Sequence, residues 1–431
     1  MTPERLPIDA TTSDEEIQAA VAAWVVDHVP QAWIDAAPHG RRAIREVRPR
    51  ADYEAWYPTF AASGLAVATW PVEYCGIDLP LAKARVAESV LAPLNLGRLN
   101  PLGLHNTAPA LFAHGTEEQR LRFLPPLVAN QERWCQMFSE PGAGSDLASL
   151  AMGAEADGDE WILTGQKVWS TWAHESDFAI CLARTDPTVA KRRGITYFLV
   201  DLSSPGVEVR PLRHIGGEID FNEVWLEEVR VPDFHRVGAA GDGWRVAAST
   251  LAGERQMVAG EGSGGVDRIG GGGIDSLLNQ ARQASIGPVE RDRIMCLFSE
   301  EKVRAWTNER VRATVKTGGT PGPAASIGKV HQSQLNQALQ LAAADFMGMA
   351  SVAWMPGDPS EEQDSIEVWA ADMPYSAKGM LRSRANTIEG GTTEVNKNVI
   401  GEKVLGLPRE PDPYHDMAWQ DVPRHTTSRR K

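Results

Sequence analysis

The chain has 431 residues, 42% of them hydrophobic and 23% charged, which is the balance of a soluble globular protein with two or three domains or one large assembly. Its 43 Lys and Arg against 57 Asp and Glu give a net charge of −14, which argues against a general binder of nucleic acid or anionic membranes. The four cysteines form no Cys-x-x-Cys pair, so neither a disulfide framework nor a metal site is expected.

The sequence shows no pattern of a signal peptide or of a membrane span. The first residues, MTPERLPIDATTSDEE, lack a basic region followed by an apolar one. Residues 55–72 and 99–116 are long uncharged stretches, but Pro and Gly interrupt both. We therefore expect a cytoplasmic protein with reduced thiols and no membrane span.

Helical patterns dominate the first part of the chain. Ser13 and Glu16 are spaced as an N-terminal cap, and apolar residues then recur at helical spacing. The sequence TEEQ at 116–119 has capping-box spacing and predicts another helix, which the Pro125–Pro126 pair is expected to end.

From about residue 155 the pattern changes to short runs of β-branched and aromatic residues. Gly, Pro, Asp and Ser separate the runs at intervals of roughly ten residues, which is typical of a small β-sandwich or barrel. The runs are residues 161–163, 178–182, 195–200, 207–209 and 224–231.

After Gly243 the helical period returns. One apolar stripe there consists of Leu335, Ala338, Leu339, Ala342, Phe346 and Met349. The order of helices, sheet and helices predicts an α+β fold in three parts. We expect an N-terminal helical domain at 1–134, a middle β-domain at 135–240, a C-terminal helical bundle at 241–410 and a loose, Pro-rich tail at 411–431.

The segment from Phe138 to Asp146, FSEPGAGSD, combines small residues, hydroxyls and turn formers. Such a loop can direct several backbone N–H groups and two hydroxyls at an anion or at the edge of a ring. A capped turn between the helices and the sheet explains the same residues equally well.

The segment from Gln166 to Trp172, QKVWSTW, lies on or just after a predicted strand. Trp169 and Thr171 are two residues apart and therefore project to the same face of that strand. Trp169 and Thr171 would thus place an aromatic ring beside a hydrogen-bond donor, which is what a planar cofactor needs. A Trp packed in the core is the alternative.

The helix predicted at 244–259 carries a carboxylate on its apolar stripe, because Ala247, Leu251 and Glu254 fall at i, i+4 and i+7. A carboxylate there is costly unless it is paired or used. Burial of a carboxyl raises its pKa toward the range of a general base. Pairing with the adjacent Arg255 is the alternative that the residues leave open.

Two glycine-rich segments have different contexts. Gly390–Gly391, followed by Thr392 and Glu394, predicts a tight turn into a helix, whose N-terminus favours negative charge. Residues 260–265 match Gly-x-Gly-x-x-Gly, but no strand precedes them and no βαβ unit surrounds them. A dinucleotide-binding fold is therefore not predicted.

Together these segments resemble the acyl-CoA dehydrogenase family, and the resemblance covers most of the chain. The resemblance implies the family's fold: an N-terminal helical domain, a middle β-domain and a C-terminal four-helix bundle. The motifs that carry it are WPVEY at 70–74, GTEEQ at 115–119, SEPGAGSD at 139–146, GQKVWST at 165–171, RGI at 193–195, GDGW at 241–244 and GTTE at 391–394.

The resemblance also implies FAD as the cofactor. Trp169 would pack against the isoalloxazine ring, and Thr171 would donate toward its N5 edge. Ser145, Arg255 and Gly391 would contact the substrate, Ser145 on the CoA side. The residues implied in FAD binding are Met137, Ser139, Gly144, Ser145, Trp169, Ser170, Thr171, Thr392 and Glu394.

The resemblance identifies the catalytic base less directly than the cofactor. Many family members use the Glu of a Tyr-Glu-Gly-Thr motif, but here Gly390 stands at that position and Glu389 comes one residue early. A shift of one residue at a turn re-aims a side chain, so Glu389 is a poor substitute. A subset of the family carries the base on the first bundle helix, and Glu254 matches that place.

The implied activity is oxidation of an acyl-CoA thioester to the trans-2-enoyl-CoA, with α-proton abstraction by the base and hydride transfer from the β-carbon to flavin. Electrons would pass to an electron-transfer flavoprotein. The family's inter-subunit Arg-x-x-Phe-Gly motif is not recognisable near residues 282–288, and Leu-Gly-Gly-x-Gly appears only as FMGM at 346–349. We expect a homotetramer or a heterotetramer of two unlike chains.

Two other functions stay open at this point: a flavin monooxygenase or oxidase on the same fold, and a partner subunit of a heteromeric acyl-CoA dehydrogenase. The acyl group is not defined by the sequence. Eight Gly between Gly260 and Gly273 leave little side-chain bulk close to the proposed base. They favour a wide pocket for a bulky or branched acyl group, such as a sterol-derived side chain.

Overall fold

Helices flank a β-sheet in the computed structural model, which describes residues 5–258, 273–284, 286–316, 323, 325–352 and 375–423. Ser13 accepts the N–H of Glu16, whose carboxylate accepts the N–H of Ser13, and Thr116 and Gln119 form the same reciprocal pair. Both predicted caps are therefore confirmed. The N-terminal helices are α1 (Asp14–His28), α2 (Gln31–Ala36), α3 (Gly40–Val47), α4 (Arg50–Ala62), α5 (Leu81–Leu91), α6 (Ala108–His114) and α7 (Glu117–Val128).

Helix α7 runs through the Pro125–Pro126 pair and ends two residues beyond it, at Val128, close to the expected end. Prolines remove backbone hydrogen bonds and disfavour a helix interior. The helix nevertheless continues to Val128, because Phe123 and Leu127 on either side of the prolines are fully buried. Packing of these side chains outweighs the local preference of the backbone.

The middle of the chain forms an eight-stranded sheet. Its strands are β1 (Trp134–Met137), β2 (Gly153–Asp157), β3 (Glu160–Thr171), β4 (Phe178–Arg184), β5 (Ile195–Asp201), β6 (Val207–Leu212), β7 (Phe221–Pro232) and β8 (Arg236–Val237). The strand order is β6-β7-β3-β2-β4-β5-β8, and β1 pairs in parallel with β4. Every β-rich run predicted from the sequence lies in one of these strands.

Both faces of the sheet are covered around β4. Ile180 and Leu182 pack in a core shared with the N-terminal helices, whereas Cys181 and Ala183 pack in a second core on the other face. A strand buried on both faces reads as a continuous apolar run, which is why β4 was visible in the sequence. Strand β2, GAEAD, has no β-branched residue and depends on its pairing with β3.

The C-terminal region is helical. The helices are α8 (Gly243–Val258), α9 (Ile274–Gln283), α10 (Pro288–Lys316), α11 (Ala325–Met347), α12 (Tyr375–Arg382) and α13 (Thr393–Val399). Leu335 and Leu339 of the predicted stripe are buried against Leu277 of α9, whereas Met349 lies beyond the end of α11 and is exposed. The Gly-rich residues 260–272 lie outside the described residues. No helix in the described part of the chain is long and apolar enough to cross a membrane.

Part of the predicted loose tail is anchored to the sheet. The N–H of Trp419 bonds the Val189 carbonyl at 2.8 Å, and its indole N–H bonds the Ser149 carbonyl at 3.2 Å. The Arg184 guanidinium lies 4.6 Å from the Trp419 ring centroid. The expectation of a loose tail is therefore wrong at residues 418–422, because Trp419 finds a cation and two carbonyls to pack against.

Candidate active site

The loop that follows β1 is organised around a buried ion pair. Lys167 of β3 is fully buried, and its ammonium lies 2.8 Å from the Glu140 carboxylate and 3.1 Å from the Phe138 carbonyl. The carboxylate also accepts the N–H groups of Ala151 and Met152 at 2.7 and 3.0 Å. Two charges removed from water require partners of this kind. The pair therefore fixes the loop on the strand.

The candidate cofactor residues of this loop differ in exposure. Met137 is fully buried, Ser139 is half-buried, and Gly144 and Ser145 are exposed. A Cβ added to Gly144 would meet no atom within 4 Å. Gly144 and Ser145 are thus available to a ligand, whereas Met137 lies in the core beneath the loop.

Asp146 fixes the end of the same loop. Its carboxylate accepts hydrogen bonds from Lys191 and Ser149 at 2.7 and 2.6 Å. Burial alone would raise the pKa of the Asp146 carboxyl, but the hydrogen bonds outweigh burial and lower this pKa below its usual value. Asp146 is therefore a charged anchor of the loop.

Strand β3 is bulged beside the loop, and the bulge turns Trp169 outward. One extra residue lies between Lys167 and Ser170 relative to β7, and Trp169 has a φ of +62°. The Trp169 side chain is 54% exposed and Thr171 is half-buried, whereas Ser170 is fully buried. Trp169 and Thr171 thus share the outer face, as predicted, and the Ser170 side chain points to the opposite one.

The loop and the bulge are joined directly. The N–H of Val168 donates to the Ser139 carbonyl at 3.0 Å. Together with the Glu140–Lys167 pair, this bond places the segments 139–146 and 165–171 side by side. The two motifs that the sequence analysis singled out for a planar cofactor are therefore brought together.

The turn before α13 also forms as predicted. Gly390 and Gly391 have φ values of +62° and +85°, a conformation that favours glycine. The Thr392 hydroxyl accepts the N–H of Val395 at 3.2 Å and caps the helix, and Glu394 lies exposed in its first turn. Thr392 and Glu394 therefore sit at a defined helix start.

The carboxylate that precedes this turn already has partners. Glu389 accepts hydrogen bonds from Arg382 at 3.2 Å and from Asn386 at 2.9 Å. Gly390 next to it carries no proton acceptor. Glu389 is thus held by contacts within the C-terminal region.

Glu254 lies on α8, and the side chains of Glu254 and Arg255 are outside the described residues. Val246 and Thr250 are fully buried, and a spacing of four continues their face of the helix to position 254. The Thr250 hydroxyl donates to the Asn106 carbonyl at 3.1 Å. The helix is therefore docked against the N-terminal region one turn before Glu254.

Three buried polar atoms near these segments have no hydrogen-bond partner within the described ranges: Ser170 Oγ, Arg382 Nη1 and Thr393 Oγ1. Buried polar atoms are normally paired, so such atoms call for an explanation. Ser170 follows Trp169 in the chain, and the Arg382 guanidinium lies 5.5 Å from the centroid of the Phe221 ring, which contacts the Trp169 indole. Arg382 Nη1 and Thr393 Oγ1 are groups that a ligand with several polar atoms, such as FAD, would satisfy, whereas the Ser170 hydroxyl faces away from Trp169.

One group of possible metal ligands lies near Trp169: His214, Glu218 and Asp220, with ligand atoms within 4.8 Å of one another. His214 accepts the N–H of Gly216, and its other ring nitrogen faces Asp220 at 3.4 Å. The His214 hydrogen bond lowers the pKa of Asp220. Lys378 of α12 lies 3.5 Å from Glu218, so the group forms a charge network between the sheet and α12.

Sequence reasoning missed two contacts: the buried Glu140–Lys167 pair, and the Arg382 guanidinium that lies 5.5 Å from the centroid of the Phe221 ring. The alternation of β3 could have predicted the pair. Lys167 lies four residues after the buried Leu163 and so faces the same side of the strand, where a lysine requires a partner. Phe221 and Arg382 carried no signal, because their contact joins segments that are far apart in the sequence.

Comparison with known proteins defines the class. The family models described as acyl-CoA dehydrogenase N-terminal domain, middle domain and C-terminal domain match residues 11–131, 135–229 and 241–405. The chain therefore belongs to the acyl-CoA dehydrogenase family, FAD-dependent oxidoreductases that oxidise an acyl-CoA thioester to the enoyl-CoA. The expectations for fold class, cofactor and activity are thereby confirmed.

Individual relatives agree with this assignment. Acyl-CoA dehydrogenase IpdE1 of Mycobacterium tuberculosis is 36% identical over 92% of this chain and 98% of that protein. Two solved structures share the fold: the Tcur3481-Tcur3483 steroid ACAD, with a TM-score of 0.68 and 23% identity, and the ChsE4-ChsE5 complex from Mycobacterium tuberculosis, with a TM-score of 0.65 and 23% identity. Each likeness covers 94% of this chain and 100% of the other.

Replacement of Lys167 by Met should destabilise the protein by about 3–5 kcal/mol, because it leaves the buried Glu140 carboxylate without its counter-ion. Chemical denaturation followed by tryptophan fluorescence measures the loss. Lys403→Met, which removes an exposed lysine, is the matched control and should change stability by less than about 0.5 kcal/mol. Equal effects of the two variants would contradict the structural role of the pair.

Proposed function

We propose that Glu254 removes the α-proton of the acyl-CoA thioester in this protein. The observation that carries the proposal is the state of the other candidate position: Gly390 has no carboxylate, and Glu389 is bound to Arg382 and Asn386. Glu254 instead continues the face of α8 on which Thr250 is buried.

We assign FAD binding to three segments of the chain. FAD, when bound, supplies the hydride acceptor. Trp169 offers an exposed apolar plate, Thr171 offers a hydroxyl on the same face, and Ser145, Arg255 and Gly391 are assigned to the substrate. The residues assigned to FAD are Met137, Ser139, Gly144, Ser145, Trp169, Ser170, Thr171, Thr392 and Glu394.

Replacement of Glu254 by Gln keeps the size of the side chain and removes its basicity. Loss of a positioned general base typically costs about 10²–10⁴-fold in rate. FAD content should therefore survive, while substrate-dependent flavin reduction collapses. Anaerobic bleaching of flavin absorbance with a panel of acyl-CoAs, from butyryl-CoA to bulky thioesters, measures the effect.

Glu389→Gln is the matched control, since it makes the same chemical change at the neighbouring candidate. FAD-loaded Glu389→Gln should reduce its flavin within about tenfold of the unmodified rate, because its carboxylate is not the base. Reduction at the normal rate by Glu254→Gln, or abolition by Glu389→Gln alone, would show that the wrong carboxylate has been chosen.

Trp169→Ala should weaken FAD retention more than Ser145→Ala does. The first change removes a large aromatic contact surface, and the second removes one hydroxyl from an exposed loop. The ratio of flavin absorbance to protein absorbance after gel filtration measures retention. Full FAD occupancy in both variants is incompatible with this assignment.

We also propose that the protein works in the cytoplasm as a tetramer, passes electrons to an electron-transfer flavoprotein, and accepts a bulky acyl group. Two of the solved structures that share its fold are named as pairs of unlike chains, and one is titled a steroid ACAD. The eight Gly between Gly260 and Gly273, which follow Glu254 closely in the sequence, favour a wide acyl pocket.

Size-exclusion chromatography with light scattering should show a tetramer, either of this chain alone or with an unlike chain of the family that is co-expressed with it. FAD content should be highest in the tetramer, because two FAD-binding motifs of the family are degraded in this chain. A monomer that retains FAD and turns over normally would contradict the proposal.

A further inference from the structure

The ring of Phe221 lies between the exposed Trp169 and the C-terminal helices. The Trp169 and Phe221 ring centroids are 5.7 Å apart with an interplanar angle of 81°, an edge-to-face contact. The Arg382 guanidinium carbon lies 5.5 Å from the Phe221 ring centroid. Phe221 therefore joins the bulge of β3 to the end of α12.

Arg382 is itself held by a chain of polar contacts. Its Nη2 donates to Glu389 at 3.2 Å, and Glu389 also accepts the Asn386 side-chain N–H at 2.9 Å. The Asn386 oxygen accepts from Asn336 of α11 at 2.6 Å, and the Lys329 ammonium donates to the Asn386 carbonyl. The guanidinium is thus fixed relative to α11.

Trp169 needs support of this kind. Its positive φ is unfavourable for a large side chain, and more than half of its surface is open to solvent. An indole exposed to this extent can adopt other rotamers unless a neighbour restricts it. The Phe221 ring supplies one such neighbour, and Arg382 restricts Phe221 in turn.

We propose that Glu389 and Arg382 are positioning residues that act through Phe221 to hold the Trp169 indole in the orientation needed for flavin binding. The inference rests on the proposed role of Trp169 at the flavin. It gives Glu389 a role other than proton abstraction. A simpler role, in which the Glu389–Arg382 pair only ties the turn at 383–391 to α12, predicts no effect on Trp169.

The first test uses the protein without FAD. Labelling with 5-fluorotryptophan gives each indole a ¹⁹F signal, and Trp169→Phe identifies the Trp169 line by its loss. Arg382→Met should shift or broaden this line and leave most other tryptophan lines in place, which also shows that the variant is folded. Arg382→Lys should give an intermediate change, because lysine keeps the charge but not the planar group.

The second test is a double-mutant cycle on the dissociation constant of FAD, measured by fluorescence titration of the apoprotein. Arg382→Met should weaken binding roughly threefold to tenfold. The same change in a Trp169→Ala background should add less than about twofold, because the residue acts through Trp169. The visible circular dichroism of the bound flavin should change in Arg382→Met as well.

Arg304→Met on α10 is the matched control. Arg304 pairs with Glu301, and the two side chains are 18% and 22% exposed, close to the 17% and 28% of Arg382 and Glu389. This control should leave both the Trp169 signal and FAD binding unchanged.

An unchanged Trp169 line in Arg382→Met would overturn the positioning role, whatever ligand binds. Multiplicative effects of Arg382→Met and Trp169→Ala on FAD binding would overturn it too, because Arg382 would then act independently. If the line shifts but Trp169→Ala leaves FAD binding intact, the flavin assignment fails, and the role at the flavin fails with it.

Discussion

The buried pair between Glu140 and Lys167 is the constraint on which the rest of the candidate site depends. An ammonium and a carboxylate are stable inside a protein only if they pair closely and further hydrogen bonds replace those lost to water. Here the carboxylate takes two backbone N–H groups as well as the lysine, and the lysine takes the Phe138 carbonyl. Moving the loop relative to β3 would therefore break several charge-assisted bonds at once, so the exposed Ser145 and the bulged strand keep one relative position.

The C-terminal region contributes in a different way. Its residues around the Gly390–Gly391 turn provide a capped helix start and a carboxylate that is bound to Arg382, while the proposed base is on α8. Gly390 has no carboxylate, and the carboxylate of Glu389 is already bound to Arg382 and Asn386. Both observations favour a base outside this turn. If Glu254 is the base, as we propose, the proton acceptor lies on α8, and the Glu389 carboxylate remains bound to Arg382.

The features that the sequence predicted correctly are local ones. A cap such as Ser13–Glu16 involves four consecutive residues, and the Gly390–Gly391 turn depends on backbone freedom that glycine alone supplies. Trp169 and its bulge depend on the register between β3 and β7, which no local pattern contains. The prolines of α7 show where a local rule is not enough. Proline disfavours a helix interior, but α7 continues through both prolines because Phe123 is buried. For the 138–146 loop, Trp169 and Glu254, the sequence pattern allowed both a structural and a functional role, and only the resemblance to the family favoured the functional one.

Because Trp419 packs against Arg184 of β4, the C-terminal half of the chain is attached to the sheet at both of its ends. The chain leaves the sheet after Val237, runs through the helices and returns to the sheet at residues 418–422. A hinge motion of these helices away from the sheet would have to stretch residues 405–417 or detach Trp419. Trp419 also bonds the Ser149 carbonyl, and Ser149 in turn donates to Asp146 at the end of the loop that carries Ser145. The return of the chain to the sheet therefore meets the same loop whose other end the Glu140–Lys167 pair fixes.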